Sequence, residues 1–311
     1  MPDFLKSFEL PVFFRRGWLN LFSCLNRRIH VFPGRILNMA GFDLFTGNLH
    51  SDYWGEVGKL VGKVDDGKML MQLDMKECHQ RFSYITGRGH DEHIARWIRS
   101  TLTEGSCFID IGANIGWFTI LASRIIGRGE IFAFEPNPIN FNILKYNCAI
   151  NKVENITLIN AAVGREDSTS QLSDAFSSSQ LSNMRPGGSK GPSLKVEIVM
   201  ADKILVSLPP NARGACKIDV EGFEFEVLKG MHYFISTHPW IEYCVEVTEP
   251  WIKECSGSEA SAQLIYNIFT DNGFKAYKLG TTGDLLEIHN IPKEQSDIVF
   301  SRRLANSPLI H

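Results

Sequence analysis

From Cys107 to Ile126 the chain passes from a short apolar strand, Cys107-Phe108-Ile109-Asp110-Ile111, through a turn holding Gly112 and Gly116 into the helical run Ile115 to Ile126. A strand delivered across a glycine turn into a helix is the opening unit of a parallel sheet, because parallel strands need a crossover to carry the chain back. The alternation continues with a strand at Glu130 to Phe134, a helix at Pro138 to Ile150 and a strand at Ile156 to Ile159. Upstream, Ile94, Trp97, Ile98 and Leu102 share one helical face, closed by Gly105. Downstream, Lys195 to Val199, Ala215 to Asp219 and Ile241 to Val247 read as strands, and Val227, Leu228, Met231 and Ile235 share a helical face. Ser256-Gly257-Ser258-Glu259 has the form of a capping box for a helix carrying Leu264, Ile265, Ile268 and Phe269. Phe274 to Leu279 and Ser296 to Ser301 suit a terminal antiparallel hairpin. The pattern predicts an α/β, Rossmann-like, doubly wound and mostly parallel sheet with right-handed crossovers and a C-terminal antiparallel hairpin.

Two stretches stand outside that alternation. Residues 1 to about 65 are rich in Phe, Trp, Arg and Gly without a clean period, and Lys68 to Leu73 and Arg81 to Ile85 read as two strands around a turn. This gives an N-terminal accessory segment with a β-hairpin over residues 1–91 and a main α/β domain over 92–311. The serine-rich stretch 168–193, with Gly187-Gly188, Gly191, Pro186 and Pro192, reads as a loop or irregular hairpin. A formal charge of −3 offers no overall basic field for a phosphate backbone, so nucleic acid is not the expected partner. The longest charge-free run, Ile111 to Ser123, contains two glycines and is too short to span a bilayer. Seven scattered cysteines without a Cys-x-x-Cys pair, and an N-terminus with no signal-peptide layout, point to reduced thiols and a cytoplasmic protein.

The turn after the first strand is where a doubly wound fold holds its cofactor. Its spacing is not Gly-x-Gly-x-x-Gly: Asn114 takes the middle position, and Asp110 stands two residues before Gly112. A carboxylate there repels a pyrophosphate and favours a cationic ligand, which points to S-adenosylmethionine, a sulfonium and ammonium compound without phosphate. At the end of the next strand, Phe134-Glu135-Pro136-Asn137-Pro138 places an acid about twenty residues beyond Gly116, the distance at which a carboxylate accepts both ribose hydroxyls.

These residues identify a resemblance. Asp110-Ile-Gly-Ala-Asn-Ile-Gly116, Phe134-Glu-Pro-Asn-Pro138, Asn160-Ala-Ala-Val-Gly164, Lys217-Ile-Asp-Val-Glu-Gly-Phe-Glu224 and Val227-Leu-Lys-Gly230 resemble, in this order, the FkbM family of S-adenosylmethionine-dependent methyltransferases. The resemblance covers about residues 90 to 250. It implies a class I methyltransferase fold, action usually on oxygen, and a cofactor held by Asp110, Gly112, Ala113, Asn114, Gly116, Glu135, Pro136, Asn137 and Asp219, with Ala161 and Ala162 beside the adenine. His90-Asp91 departs from the family, which often has Tyr-Glu there.

Methyl transfer to a hydroxyl needs an acceptor held in line and a group to take its proton. Asp219 ends its strand, Glu221 follows in the turn, Lys217 shares a face with Asp219, and Glu246 lies near the end of the next strand. Lys217, Asp219, Glu221 and Glu246 are the candidate catalytic group, with Asp219 or Glu221 the base. The alternative for the same residues is an ion-pair and capping network. No metal is expected, although carboxylates of this kind can hold a divalent ion. His232, His238 and His289 lack a motif context, and Trp117, Trp240 and Trp251 fall near element ends where a ring could stack on an acceptor. The expected reaction is O-methylation of a hydroxyl on a sugar, glycan or secondary metabolite. A cofactor-binding assembly partner without turnover and an NAD(P)-dependent oxidoreductase are the alternatives.

Overall fold

The structure is a computed structural model that describes residues 57–89, 91–172, 194–257, 259–292 and 294–303. Contacts divide the chain into two compact units, Met1–Asp91 and Glu92–His311.

In the first unit, β1 (Lys59–Val64) and β2 (Met69–Asp74) form an antiparallel hairpin in which Val64 pairs with Met69. Asp65, Asp66 and Gly67 all take positive φ in the connecting turn, where short polar residues and glycine are at least cost. The predicted second strand, Arg81 to Ile85, is instead part of helix α1 (Cys78–Thr86). Arg81, Tyr84 and Ile85 are buried at helical spacing, and so short an apolar run does not separate the two periods. Arg81 is almost wholly enclosed and donates to the carbonyls of Met75 and Lys76. The hairpin partner of β2 thus lies before it in the chain, in β1, rather than after it.

In the second unit, α2 (Glu92–Thr101) leads to β3 (Cys107–Ile111), α3 (Trp117–Ile126), β4 (Ile131–Phe134), α4 (Pro138–Ile150) and β5 (Ile156–Ile159). A small sheet follows from β6 (Ala162–Val163), β7 (Ser168–Leu172) and β8 (Leu194–Val199), with β8 in the middle. Ser168 to Leu172, predicted as loop or irregular hairpin, is therefore a regular strand antiparallel to β8, while 173–193 lie outside the described residues. The chain continues through α5 (Ala201–Ile204), β9 (Gly214–Ile218), α6 (Glu224–Gly230), α7 (His232–Thr237), β10 (Ile241–Val247), α8 (Glu249–Ser256), α9 (Ala262–Asp271), β11 (Lys275–Leu279), β12 (Leu285–Ile288) and β13 (Ser296–Ser301).

The main sheet has the order β12-β11-β13-β10-β9-β3-β4-β5. β10, β9, β3, β4 and β5 are mutually parallel, and β13, β11 and β12 are antiparallel. The predicted terminal hairpin is thus one strand larger, since β11 pairs with β12 as well as with β13. One other local reading changes. Helix α9 is capped by Ser261, whose hydroxyl accepts from the Leu264 N–H, while Ser256 ends α8. The side chains predicted for one helical face are all fully buried, but Val227 and Leu228 lie in α6, Ile235 in α7 and Met231 at the junction between the two helices.

The core on that side joins these to Tyr243, Phe269, Phe274 and Phe300. Phe269 stacks on Phe300 with centroids 4.0 Å apart and meets Phe274 edge-on at 5.6 Å. Each such ring removed from water contributes about 2–3 kcal/mol, which makes this aromatic block the anchor for β10 and β13. The chain runs outward from β3 to β4 and β5, then returns to β9 on the other side of β3. The reversal makes the carboxyl ends of β3 and β9 the switch point of the sheet, the crevice position at which folds of this kind take ligands.

Candidate active site

The turn after β3 is built on left-handed backbone. Gly112, Asn114 and Gly116 have φ of 82°, 52° and 89°, values glycine adopts freely and asparagine tolerates. The N–H groups of Gly112 and Ala113 both donate to the Phe134 carbonyl, which locks the turn onto β4. Gly112 also sits at the crevice: a Cβ there would lie 1.9 Å from the Asp219 carbonyl oxygen.

Glu135 follows β4 and is 6% exposed. Its carboxylate accepts the Asn114 N–H at 2.8 Å and the Asn137 N–H at 2.9 Å. Each oxygen keeps a second acceptor position. Burial pushes its pKa up to about 7 against those two hydrogen bonds. Asn160, part of a quoted motif but given no role from the sequence, donates from Nδ2 to the Glu135 carbonyl at 2.7 Å and so fixes the loop after β4. Asn137 caps α4 through Oδ1, and Ala161 and Ala162 are buried where β5 gives way to β6.

Asp110 is fully enclosed under the turn. One oxygen accepts from the Thr119 hydroxyl at 2.6 Å, and the other has no hydrogen-bond partner. Burial raises its pKa, opposed by the charge of Lys217. Asn114 Oδ1 is likewise buried without a donor. These acceptor atoms fit S-adenosylmethionine, which brings an ammonium and two ribose hydroxyls as donors and no phosphate to be repelled. Asp110, Asn114 and Glu135 are the residues that would hold it.

On the far side of the crevice, Lys217 lies opposite Asp110 in the β3–β9 register. Its ammonium reaches Asp219 at 2.9 Å and lies 5.3 Å from the centre of the Phe118 ring. The Lys217 side chain is 4% exposed and that of Asp219 31%, so the lysine holds the carboxylate from beneath. The following turn carries Glu221 at φ 54° and Gly222 at φ 102°. Glu224 holds it by accepting the Gly222 N–H at 3.0 Å, a role that depends on the folded turn and has no signature in spacing. Burial raises Glu224 to about 7.

Glu246 accepts from Gln295 at 2.6 Å. Burial, followed by the charges of Asp219, Glu221 and Asp297, pushes its pKa from the ordinary 4.5 up to about 9, so at neutral pH it is a carboxylic acid. The folded state then holds a proton that the unfolded chain loses above pH 4.5. The stability this confers is complete below that pH and is lost as pH rises toward about 9. Glu246→Gln should match the parent in acid and become progressively more stable across that window, by up to about 1.4 kcal/mol per pH unit. Urea unfolding at a series of pH values measures this, and a pH-independent difference would remove the assignment of a protonated Glu246.

The other candidates separate from this group. His238 is buried and bound to Thr237, Phe234 and Leu208, a packing role. His232 and His289 are exposed, and His90 lies outside the described residues. Trp240 carries Arg213 over its ring, and Trp251 lies against Gly222. Among the described residues, no three His, Cys, Asp or Glu side chains are grouped to hold a metal ion, and no helix is long and apolar enough to cross a membrane.

A parallel sheet with an antiparallel edge, a glycine turn at its switch point and acids at the ends of β4 and β9 together define a class I methyltransferase fold. The model of the "Methyltransferase FkbM domain" matches residues 110–276, more than half of the chain. The chain belongs to the FkbM methyltransferase family, and its cofactor is S-adenosyl-L-methionine. It is 26% identical over 163 residues to "Methyltransferase 1" of Beauveria bassiana, a match spanning 45% of this chain and 66% of that protein. It is 28% identical over 141 residues to "Hexuronic acid methyltransferase AglP" of Haloferax volcanii, spanning 45% of this chain and 56% of that protein. The chain thus spans just under two thirds and just over half of these curated relatives. Among solved structures it is similar to a putative methyltransferase from Streptococcus mutans in complex with SAH, at 10% identity and a TM-score of 0.39, covering 67% of this chain and 95% of that one.

Proposed function

We propose that the protein methylates a hydroxyl group of a sugar, glycan or secondary metabolite. Residues 92–311 form the methyltransferase domain and 1–91 an accessory segment. The observation that carries this reading is the Lys217–Asp219 pair, a partly exposed carboxylate held at 2.9 Å by a buried ammonium at the crevice beside the cofactor turn. The name of the archaeal relative, a hexuronic acid methyltransferase, supports a sugar acceptor. Cys107, Cys148, Cys216, Cys244 and Cys255 are buried and form no disulfide, in keeping with a reducing cytoplasm.

The bound cofactor supplies a methyl group on a sulfonium, already a good leaving group. The protein's work is therefore to orient the acceptor and remove its proton. Asp219 takes that proton, because Lys217 fixes its direction. Glu246, protonated at neutral pH, donates a hydrogen bond instead of accepting the proton. Glu221 stands at the mouth of the same turn and lines the acceptor.

Calorimetry with S-adenosylmethionine, S-adenosylhomocysteine and NAD tests the cofactor half of this reading. The first two should bind, and binding of NAD alone would sink it. Affinity should also depend on pH. Glu135 must be ionised to accept both ribose hydroxyls, and in the free protein it titrates at about 7. Binding should weaken by up to about tenfold per unit as pH falls below that value and level off above it. An affinity that is flat between pH 5.5 and about 8 would remove Glu135 from the ribose site.

A further inference from the structure

We infer that Thr119 is a positioning residue for the cofactor: it holds Asp110 so that one carboxylate oxygen is committed to the protein and the other is kept for the cofactor's ammonium. The inference rests on the methyltransferase reading above and deepens its cofactor site.

The helix after the turn supplies the first constraint. Gly116 stands at the N-cap of α3 with no side chain to cap it, and the first turn of that helix holds no acid. The N–H groups of a first turn have no partner within the helix and need an acceptor from elsewhere. Asp110 reaches them from β3. It accepts from the backbone of Thr119, the third residue of α3, and from the Thr119 hydroxyl at 2.6 Å. Both side chains are wholly enclosed. The hydroxyl is spent on Oδ2, whereas Oδ1 is just as enclosed and has no hydrogen-bond partner.

Two consequences follow for a ligand that brings an ammonium. The last torsion of an aspartate is broad and nearly two-fold, so an unheld carboxylate presents either oxygen over a range of angles. A short bond from Thr119 fixes the plane and settles which oxygen remains. The same contact keeps Asp110 charged. Burial pushes its pKa up, opposed most by the charge of Lys217 and then by the hydrogen bonds from Thr119. A protonated Asp110 would lose the charge that makes it a strong acceptor for an ammonium. Thr119 thus acts on the cofactor through Asp110, without touching it.

A plain packing or capping role for Thr119 makes a different prediction, and two ligands separate them. One is S-adenosylhomocysteine; the other is its deamino analogue, in which hydrogen replaces the amino group. Contacts to adenine, ribose and carboxylate are common to both and cancel in the ratio of their affinities, measured by calorimetry on the full chain at neutral pH. The parent should prefer S-adenosylhomocysteine by roughly tenfold or more, the scale of one charge-assisted hydrogen bond. In Thr119→Val, which keeps the shape and removes the donor, that preference should shrink by about fivefold. Thr119→Ser, which keeps the hydroxyl, should hold the parent ratio. If Thr119→Val does not fold, Thr119→Cys fills the site with a weaker donor and should give an intermediate ratio. A ratio unchanged in Thr119→Val, or in Thr119→Cys where that variant stands in, would make Thr119 a structural residue only and overturn the inference. A parent that binds both ligands equally would overturn it too, by removing Asp110 from the ammonium, and would leave the methyltransferase reading standing. If S-adenosylhomocysteine itself fails to bind, the methyltransferase reading falls first and this inference with it.

Discussion

Replacing Asp219 by Asn should lower turnover by roughly 10²- to 10⁴-fold, the range of a lost general base, and leave cofactor affinity within a few-fold of the parent. The substitution keeps the shape of the side chain and its contact with Lys217 but removes the charge that takes the acceptor proton. A residue acting only as a structural ion-pair partner would behave differently. In either role the change removes one counter-charge from the buried Lys217 ammonium and costs stability, but in a purely structural pair kcat of the folded variant stays at the parent value. The two roles are thus separated by measuring unfolding, cofactor affinity and turnover together, with an acceptor found by screening methyl glycosides and hydroxylated metabolites against methyl-labelled cofactor. The general-base assignment also predicts that the residual rate of Asp219→Asn rises with pH as the acceptor hydroxyl ionises unaided. A variant with full turnover would return the pair to a purely structural role.

The parts of this site that could be read from the sequence are those that neighbouring residues determine. Gly112, Asn114 and Gly116 are visible because a strand-to-helix turn restricts its backbone, and Glu135 because one helix and one strand fix its distance from that turn. Strands β4, β5 and β10 and helix α4 are legible for the same reason: each is a run whose length and flanking residues select one period. Helix α1 was not legible, since Arg81 to Ile85 fits both periods and the choice is made by tertiary contacts, among them those of the Arg81 guanidinium with the Met75 and Lys76 carbonyls. The added edge strand β12 and the cap at Ser261 were missed because several serines and short polar runs nearby offer equivalent local signals. What the sequence could not show is the far wall of the crevice. Asp297 joins Glu246 only through an antiparallel register between distant segments. Asn160 and Glu224 act by holding loops that do not exist until the sheet is assembled.

Gly112→Ala should abolish cofactor binding, because two independent constraints meet at this residue. Its φ of 82° lies where an L side chain is strained, at about 1–2 kcal/mol for the backbone alone. The added methyl would also lie 1.9 Å from the Asp219 carbonyl oxygen and 3.3 Å from the Val220 side chain. The first neighbour is backbone, so no rotamer change relieves the contact, and β3 and β9 must move apart at the switch point. That displaces the N–H groups of Gly112 and Ala113 from the Phe134 carbonyl and the Asp219 carboxylate from its place over Lys217. The variant should lose 3 kcal/mol or more of stability, roughly, and show no measurable cofactor affinity. Gly105→Ala is the matched control. Gly105 also has positive φ, at 79°, but nothing lies within 4 Å of its added methyl. It should cost only the backbone term, about 1–2 kcal/mol, and leave cofactor binding intact. If both variants bound the cofactor normally, close approach of β3 and β9 at Gly112 would not be what shapes the cofactor site. If only Gly112→Ala loses binding, at a temperature where both remain folded, the loss is assigned to the crevice rather than to the left-handed backbone that the two glycines share.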